Sequence, residues 1–260
     1  MIERFLKQTH FTSEEDYCEH LHFIVPENFN FAYDVMDEWA KIAPDKVALL
    51  WTSERGEEVK TTFLQFKEET DRTAAYFLSL GIGRGDKVML ILKRHYQWWL
   101  SMMALCKIGA VAIPATHMLT ANDIVYRNQR ASVKAIICAN DEYITTQITK
   151  AMADSPTVEV RVAVNSLAQK DREVPEGFHD WYAEWDKAPA FVRPEMVNTN
   201  DDTMLMYFTS GTSGEPKMVA HDYLYALGHL ITGVYWHNLD EHSIHLTVAD
   251  TGWGKAVWGK

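Results

Sequence analysis

The sequence predicts an α/β fold with a mainly parallel sheet flanked by helices. From about residue 62 onward, short runs rich in Val, Ile, Leu and Ala alternate with longer helical segments. Gly81 and Gly109 stand where helices are expected to end, just before the next strand. Helices that alternate with buried strands are typical of βαβ crossovers, in which the strands run parallel.

The first part of the chain, residues 1–61, is expected to form helices and a small hairpin at the domain edge. An acidic segment and a second amphipathic segment predict two helices, and the residues around Glu54–Gly56 have the composition of a hairpin turn. The predicted elements are helices at 13–20 and 31–42 and strands at 46–51 and 58–63.

The remaining residues, 62–260, are expected to form an α/β subdomain, and its small-residue loop at 207–219 predicts that the subdomain binds a nucleotide. Thr62 and Thr120 each precede a helical pattern and are expected to cap it. A Pro-containing connection, 167–202, carries a short helix near 180–186. The predicted helices are 62–80, 96–108, 120–130, 143–152 and 222–235, and the predicted strands are 87–92, 110–114, 134–138, 158–164, 203–208 and 244–248.

Composition excludes some classes of function. With 260 residues and 47% hydrophobic content, the chain can bury a sizeable core in one large domain or two small ones. A formal net charge of -11 disfavours nucleic acid as a partner. Neither a signal peptide nor a membrane span is recognised, and the acidic balance suggests a cytoplasmic protein. Cys18, Cys106 and Cys138 lack metal-type spacing and are assigned no role.

The segment at 207–219 is the main candidate for function. It places a small-residue loop between two apolar runs that are expected to be buried strands. Gly211 and Gly214 let backbone N–H groups point at one anion, neighbouring hydroxyls add donors, and Lys217 adds a cation. We therefore predict an ATP triphosphate site made of Thr209, Ser210, Gly211, Thr212, Ser213, Gly214, Glu215, Pro216 and Lys217.

This loop differs from the classical P-loop motif. The motif requires Gly-Lys-Ser/Thr at the start of a helix, whereas here Pro216 precedes Lys217 and Met218 follows it. Proline favours extended geometry before it, so a strand is expected after the loop. A plain surface hairpin is the alternative interpretation, because Gly/Ser clusters are common in turns.

The string from Tyr207 to Lys217 resembles the phosphate loop of the AMP-forming acyl-CoA synthetases, within the adenylate-forming superfamily. Ala249–Lys255 is similar to the S-D-T-G-W segment of the medium-chain and acetyl-CoA synthetase branch, and the resemblance extends back through Val25–Phe31 and Trp98–Pro114. Met218 departs from the glycine that many members have after the lysine.

The resemblance implies an acid-thiol ligase. Such an enzyme activates a carboxylic acid with ATP and Mg²⁺ through an acyl-adenylate and transfers it to coenzyme A. Medium-chain or short branched fatty acids are favoured over acetate or propionate, and the resemblance implies that Trp253 lines the acyl pocket. A homodimer is compatible with these observations.

The chain resembles only the amino-terminal part of such an enzyme, since the adenine, ribose and C-terminal lysine motifs are not found before Lys260. The 260-residue chain alone is therefore expected to be inactive. A non-catalytic nucleotide-binding module and a carrier-protein adenylation domain remain the alternatives.

Two further features have competing interpretations. Asp250 precedes a predicted helix and is favoured as its cap over a chemical role. His237, His242 and His245 lie close in sequence but lack the spacing of a metal site, so they are interpreted as structural. Trp253 can also be a core aromatic instead of a pocket wall.

Overall fold

The computed structural model describes residues 1–209, 214–254 and 256. These residues form a two-stranded antiparallel sheet and a larger seven-stranded sheet. The strands are β1 Val47–Thr52, β2 Glu58–Thr62, β3 Lys87–Ile91, β4 Val111–Pro114, β5 Val133–Ala139, β6 Val160–Val164, β7 His179–Asp180, β8 Thr203–Thr209 and β9 Lys217–Asp222. The helices are α1 Glu14–His20, α2 Asp37–Ile42, α3 Phe63–Ser79, α4 Gln97–Ile108, α5 Ala121–Ala131, α6 Glu142–Ala151, α7 Trp181–Trp185 and α8 Tyr225–Leu230.

The seven-stranded sheet has the strand order β7-β6-β5-β3-β4-β8-β9. All neighbouring pairs from β7 to β8 are parallel, and only the β8–β9 pair is antiparallel. The predicted fold class is therefore confirmed. Strands β1 and β2 pair with each other in a separate hairpin. The boundary between residues 61 and 62 stays a prediction.

The core lies on both faces of this sheet because successive strand residues point to opposite sides. On β3, Val88 and Leu90 pack in the cluster that contains α3, α4 and α7, whereas Met89 and Ile91 pack in the cluster that contains α5 and α6. All four side chains are fully buried. The result is a three-layer arrangement with helices above and below the sheet.

Threonines define the starts of α3 and α5, as the sequence predicts. Thr62 accepts a hydrogen bond from the backbone N–H of Gln65, whose side chain accepts one in return. Thr120 and Asp123 form the same reciprocal pair. Such capping boxes satisfy backbone donors that the first helical turn leaves open. The two confirmed caps fix where the chain enters each helical layer.

Two helices are more irregular than predicted. The 31–42 helix begins with a π-helical segment, Ala32–Met36, before α2. The 222–235 helix begins later, at α8, and continues as a π-helical segment, Ile231–Trp236. The delay arises because Asp222 still pairs with Thr203 in the sheet, and its carboxylate accepts from the N–H of Leu224.

The strand predicted at 244–248 is wrong. Ile244, Leu246 and Val248 are 91%, 83% and 87% exposed, and no strand in the described part of the chain includes them. Their alternation with polar residues imitates a half-buried strand, but a strand also needs a partner ladder. His245, which the prediction placed in this strand, is exposed as well.

The loop at 207–219 joins one buried strand and one surface strand. Met204, Leu205 and Tyr207 of β8 are buried, as predicted. Every residue of β9 except His221 is exposed, so the expectation of two buried strands is wrong for β9. The structural reason is that β9 is the last strand in the strand order, so one of its edges has no neighbouring strand among the described residues. Among the described residues, no helix is long and apolar enough to span a membrane.

Candidate active site

The β8–β9 hairpin holds the two ends of the predicted phosphate loop side by side. Thr209 ends β8 and is paired in register with Lys217, the first residue of β9. The Thr209 hydroxyl donates to the backbone carbonyl of Lys217 at 3.4 Å. Lys217 is an exposed residue, so its ammonium group is accessible to an anion. Ser210, Gly211, Thr212 and Ser213 lie outside the described residues.

The carboxyl-terminal half of the loop combines a special backbone conformation with a tie to α5. Gly214 has a φ of +103°, a region that favours glycine, and a Cβ there would meet nothing within 4 Å. Conformation, and not space, therefore explains the glycine. Glu215 is exposed, so its charge is directed to solvent. The carbonyl of Pro216 accepts a hydrogen bond from the hydroxyl of Tyr126 at 2.8 Å.

The helix α5 also supports the other side of the hairpin. The rings of Tyr126 and Phe208 meet edge to face with centroids 6.2 Å apart. The guanidinium of Arg127 lies 5.2 Å from the centre of the Phe208 ring, and burial lowers the pKa of that guanidinium. Adjacent residues of one helix thus contact Phe208 in β8 and Pro216 just before β9, which stiffens the base of the hairpin.

A second segment, 250–254, crosses the carboxyl ends of three parallel strands. The Thr251 hydroxyl donates to the carbonyl of Lys93, two residues after β3. A Cβ on Gly252 would stand 2.2 Å from the N atom of Thr116, two residues after β4. A Cβ on Gly254 would stand 3.6 Å from Cζ of Tyr207 in β8. Ligands of open α/β sheets bind outside such carboxyl ends, so this edge is the favoured site.

Asp250 makes two contacts at the start of this segment. Its Oδ1 atom accepts from the N–H of Gly252 at 2.8 Å, which is the type of contact expected of a cap. Its Oδ2 atom lies 3.2 Å from Nδ1 of His117, in the loop after β4. The side chains of His117 and Asp250 are 39% and 26% exposed. The interpretation of Asp250 as a cap and its interpretation as a residue with a chemical role are thus compatible.

Trp253 lies on the surface of the described chain. Trp253 is 59% exposed, so it is not a core aromatic here. Its backbone N–H donates to the carbonyl of Asp250 at 3.0 Å. The neighbouring Tyr207 is 7% exposed, and its hydroxyl has no hydrogen-bond partner among the described residues. Burial raises the pKa of this phenol. The role of Trp253 in the acyl pocket stays a prediction.

A polar recess of about 680 Å³ adjoins the same edge where β3, β5 and β6 end. Lys93 and Asp141 form an ion pair across it, with Nζ and Oδ2 2.7 Å apart. Burial acts to raise the pKa of Asp141, but hydrogen bonds from Lys93 and from the N–H of Ile144 hold that pKa below its usual range. Arg55, Arg94 and Arg172 also line the recess.

The three histidines of the 237–245 region do not assemble a metal centre within the described part of the chain. The rings of His237 and His245 have centroids 5.5 Å apart. Among residues 1–209, 214–254 and 256, no group of three or more His, Cys, Asp or Glu side chains could hold a metal ion. His242 is exposed and lies near Glu241 at 3.8 Å.

The sequence analysis missed two residues of this site, His117 and Tyr126. A signal for His117 exists in the sequence, since it follows a buried strand by three residues and so lies at the carboxyl edge of the sheet. Tyr126 gives no such signal, because its contact with Pro216 joins residues 90 positions apart.

Known proteins resemble this chain over most of its length. Acyl-coenzyme A synthetase ACSM5, mitochondrial, from Mus musculus is 34% identical over 243 residues, which is 90% of this chain and 40% of that protein. ACSM3, mitochondrial, from the same organism is 30% identical over 259 residues, which is 95% of this chain and 42% of that protein. The chain thus spans about 40% of the length of these curated relatives.

Solved structures share the fold. A crystal structure of Brucella canis acyl-CoA synthetase superimposes with a TM-score of 0.74 at 21% identity, over 89% of this chain and 40% of that one. The anthranilate CoA ligase AuaEII, in complex with anthranoyl-AMP, gives a TM-score of 0.69 at 22% identity, over 81% of this chain and 38% of that one. At these identities the likeness supports the fold alone.

The predicted cytoplasmic location is wrong by this comparison. The curated relatives ACSM3, ACSM4 and ACSM5 are mitochondrial proteins. The prediction depended on the acidic composition of the chain, a property that does not separate the cytosol from a mitochondrial compartment.

The family itself is identified by a match that covers most of the chain. The model of the AMP-binding enzyme family matches residues 36–259, which include the β8–β9 hairpin and the 250–254 segment. The predicted resemblance is therefore confirmed: the chain belongs to the AMP-binding enzyme family, among relatives that are acyl-CoA synthetases.

Proposed function

We propose that the chain forms the phosphate-binding and acyl-binding part of an ATP-dependent, AMP-forming acyl-CoA ligase. The observation that carries this proposal is the convergence of the β8–β9 hairpin and the 250–254 segment at one sheet edge, where Gly254 approaches Tyr207. Family membership supplies the reaction class, since the relatives are acyl-CoA synthetases that use ATP and coenzyme A. The activity is proposed for a whole enzyme of this family. This chain corresponds to about 40% of the relatives' length.

The first step joins the acid to AMP. The carboxylate oxygen of the acid attacks the α-phosphorus of ATP, and the bond to the β-phosphate oxygen breaks to release pyrophosphate. Thr209 and Lys217, which face each other across the hairpin, would bind the β- and γ-phosphates and stabilise the charge that develops on pyrophosphate. Lys217 suits this role because an ammonium on a flexible stem can follow a moving charge.

Magnesium fits the site as a companion of the nucleotide. Mg²⁺ is usually held by one or two carboxylates together with substrate phosphates, and seldom by an all-protein cage. The ion would neutralise phosphate charge; Thr209 and Lys217 would orient the phosphates.

We assign the acyl substrate to the medium-chain or short branched fatty acids. The exposed indole of Trp253 lies next to the sheet edge and offers an apolar wall for such a chain. Acetate or propionate would leave that wall largely uncovered. The 260-residue chain alone is expected to form no acyl-CoA.

The test is pyrophosphate exchange into ATP, measured on the complete polypeptide that contains this chain with a panel of acetate, isobutyrate, hexanoate, octanoate and benzoate. We expect acid-dependent exchange that falls roughly 100-fold or more in Lys217→Ala. The matched control is Lys187→Ala, since Lys187 is an exposed lysine at the end of α7. If none of the acids drives exchange, the result would support a non-catalytic nucleotide-binding module instead. Transfer of the acyl group to a carrier protein but not to coenzyme A would support an adenylation domain.

A further inference from the structure

His117 and Asp250 form a pair that the proposed adenylation step does not use. Their Nδ1 and Oδ2 atoms are 3.2 Å apart, although 133 residues separate them in the chain. A carboxylate can only accept hydrogen bonds, so the proton between them belongs to Nδ1 of the imidazole. Nε2 of the neutral ring then keeps its lone pair. No described residue makes a hydrogen bond to Nε2.

The pair is held by its backbone surroundings. Oδ1 of Asp250 is fixed by the N–H of Gly252, so Oδ2 is directed to the imidazole. Gly252 lies so close to Thr116 that a Cβ would collide with the backbone before His117. Thr251 is 2% exposed and is bound to the carbonyl of Lys93. These contacts preorganise the pair without any ligand.

The position of the pair agrees with a role in the transfer step. His117 follows β4, and Asp250 begins the segment that ends at Gly254, where a Cβ would stand 3.6 Å from Tyr207 of β8. The imidazole is 39% exposed and is therefore accessible to a thiol that arrives from solvent. A histidine oriented by a carboxylate through Nδ1, with Nε2 open, is the arrangement by which nucleophiles are activated.

We propose that His117 is the general base that deprotonates the thiol of coenzyme A in the second half-reaction and that Asp250 is its positioning residue. This inference rests on the proposed function. A free thiol is only a few per cent ionised near pH 7, so a base that removes its proton accelerates attack. The adenylation step has no such need, because the acid is already a carboxylate at that pH.

The step balances in protons and electrons. Nε2 of His117 takes the thiol proton while the sulfur attacks the acyl carbonyl carbon of the adenylate. A C–S bond forms, and the bond between the acyl carbon and the phosphate oxygen breaks, so that AMP leaves with the electron pair. The imidazolium then returns its proton to water. Asp250 stabilises the imidazolium and holds its tautomer.

Two other pairs of charged groups lie near this edge. Lys93, after β3, is bound to Asp141 at the end of β5. Asp123 and Arg127, on the helix that follows His117, face each other at 3.8 Å. Asp250 is thus the charged group in direct contact with the imidazole among the described residues.

The experiment compares two rates on the complete polypeptide: acid-dependent pyrophosphate exchange and single-turnover formation of acyl-CoA. In His117→Gln, we expect the ratio of acyl-CoA formation to exchange to fall about 100-fold. Asp250→Asn retains an acceptor for Gly252 and is expected to lower the same ratio less severely. His22→Gln is the control, because His22 is exposed and only its backbone carbonyl is bonded.

The pH profile of acyl-CoA formation distinguishes a base from a structural residue. The wild-type rate should depend less on pH above neutrality than the rate of His117→Gln, which should keep rising to the pKa of a free thiol, about 8.5. Wild-type exchange together with an unchanged ratio and profile in both variants would overturn the inference alone. Absence of exchange in the wild type would overturn the proposed function and the inference with it.

Discussion

The hydroxyl of Tyr126 on α5 is bound to the carbonyl of Pro216, the residue before the lysine of the phosphate loop, at 2.8 Å. Both residues are partly buried. This hydrogen bond joins α5 to the residue that precedes β9, the exposed strand of the hairpin. It thereby limits how far Lys217 can move from Thr209.

Tyr126→Phe should weaken nucleotide binding without unfolding the protein. A neutral hydrogen bond contributes about 1 kcal/mol, which corresponds to roughly fivefold in affinity. We expect the KM for ATP in pyrophosphate exchange to rise by that factor. Tyr143→Phe is the control, because Tyr143 lies exposed on the adjacent helix α6. Equal KM values for the two variants would contradict the role of the hydrogen bond.

Gly252→Ala should destabilise the fold, whereas Gly254→Ala should not. A Cβ on Gly252 would lie 2.2 Å from Thr116 N and 2.4 Å from Ala115 C, and backbone atoms cannot rotate away. The closest atom to a Cβ on Gly254 is 3.6 Å away, an ordinary contact. We expect a loss of about 1–3 kcal/mol for the first variant and less than about 0.5 for the second, measured by urea denaturation. Similar midpoints would show that the segment does not pack on β4.

Lys107→Met should strongly reduce the free energy of unfolding. Lys107 is fully buried at the end of α4, and its ammonium binds Asp37 at 2.8 Å and Asp71 at 2.5 Å. Removal of one partner from a buried ion pair costs roughly 3–5 kcal/mol, because charges remain without compensation. Lys67→Met is the matched control, since Lys67 binds the same Asp71 but is 33% exposed.

The deficit of Lys107→Met should shrink at lower pH. Burial raises the pKa of Asp37, and Lys107 acts against that rise. Without the lysine, the folded state binds a proton on Asp37 at a pH where the unfolded state does not, so stability increases as the pH falls. Denaturation midpoints between about pH 7 and pH 5 measure this change. A deficit that grows toward pH 5 would contradict it.

His95 should make folding less favourable in mild acid. Burial lowers the pKa of this imidazole, whose Nδ1 lies 2.8 Å from the carbonyl of Leu92. Below the unfolded pKa of about 6.5, the unfolded chain binds a proton that the folded chain does not, so stability is lost as the pH falls. His95→Gln should show a flatter dependence of the urea midpoint on pH. His221, whose pKa burial also lowers, is present in both proteins and cancels.

The parts of the fold that the sequence predicted depend on local patterns. Thr62 and Thr120 carry their capping partners three residues ahead, so the starts of α3 and α5 were visible in the sequence. The strands of the sheet centre are runs of buried Val, Ile and Ala, whose burial on both faces is typical of parallel sheets. The element order alone then indicated the α/β class.

The parts that failed depend on partners distant in the chain. Ile244 and Val248 have the alternation of a strand but lack a ladder, and β9 lies at the sheet end, which its composition does not reveal. The contacts of His117 with Asp250 and of Lys107 with Asp37 join residues 133 and 70 positions apart. Only the folded chain brings such groups together. The sequence therefore predicted the phosphate loop but not the contacts at the carboxyl edge of the sheet.

The β8–β9 hairpin is mechanically asymmetric. Displacement of β8 would open the core, because Leu205 pairs with β4 and is fully buried. Displacement of β9 would uncover less apolar surface, since Met218 and Val219 are already 37% and 39% exposed. The two strands of the hairpin therefore differ in how much core each one covers, and the hydrogen bond from Tyr126 to Pro216 restrains the end of the hairpin that carries Lys217. A site built in this way can keep its substrate aligned on the backbone of β8 while the flexible side chain of Lys217 moves with the leaving charge.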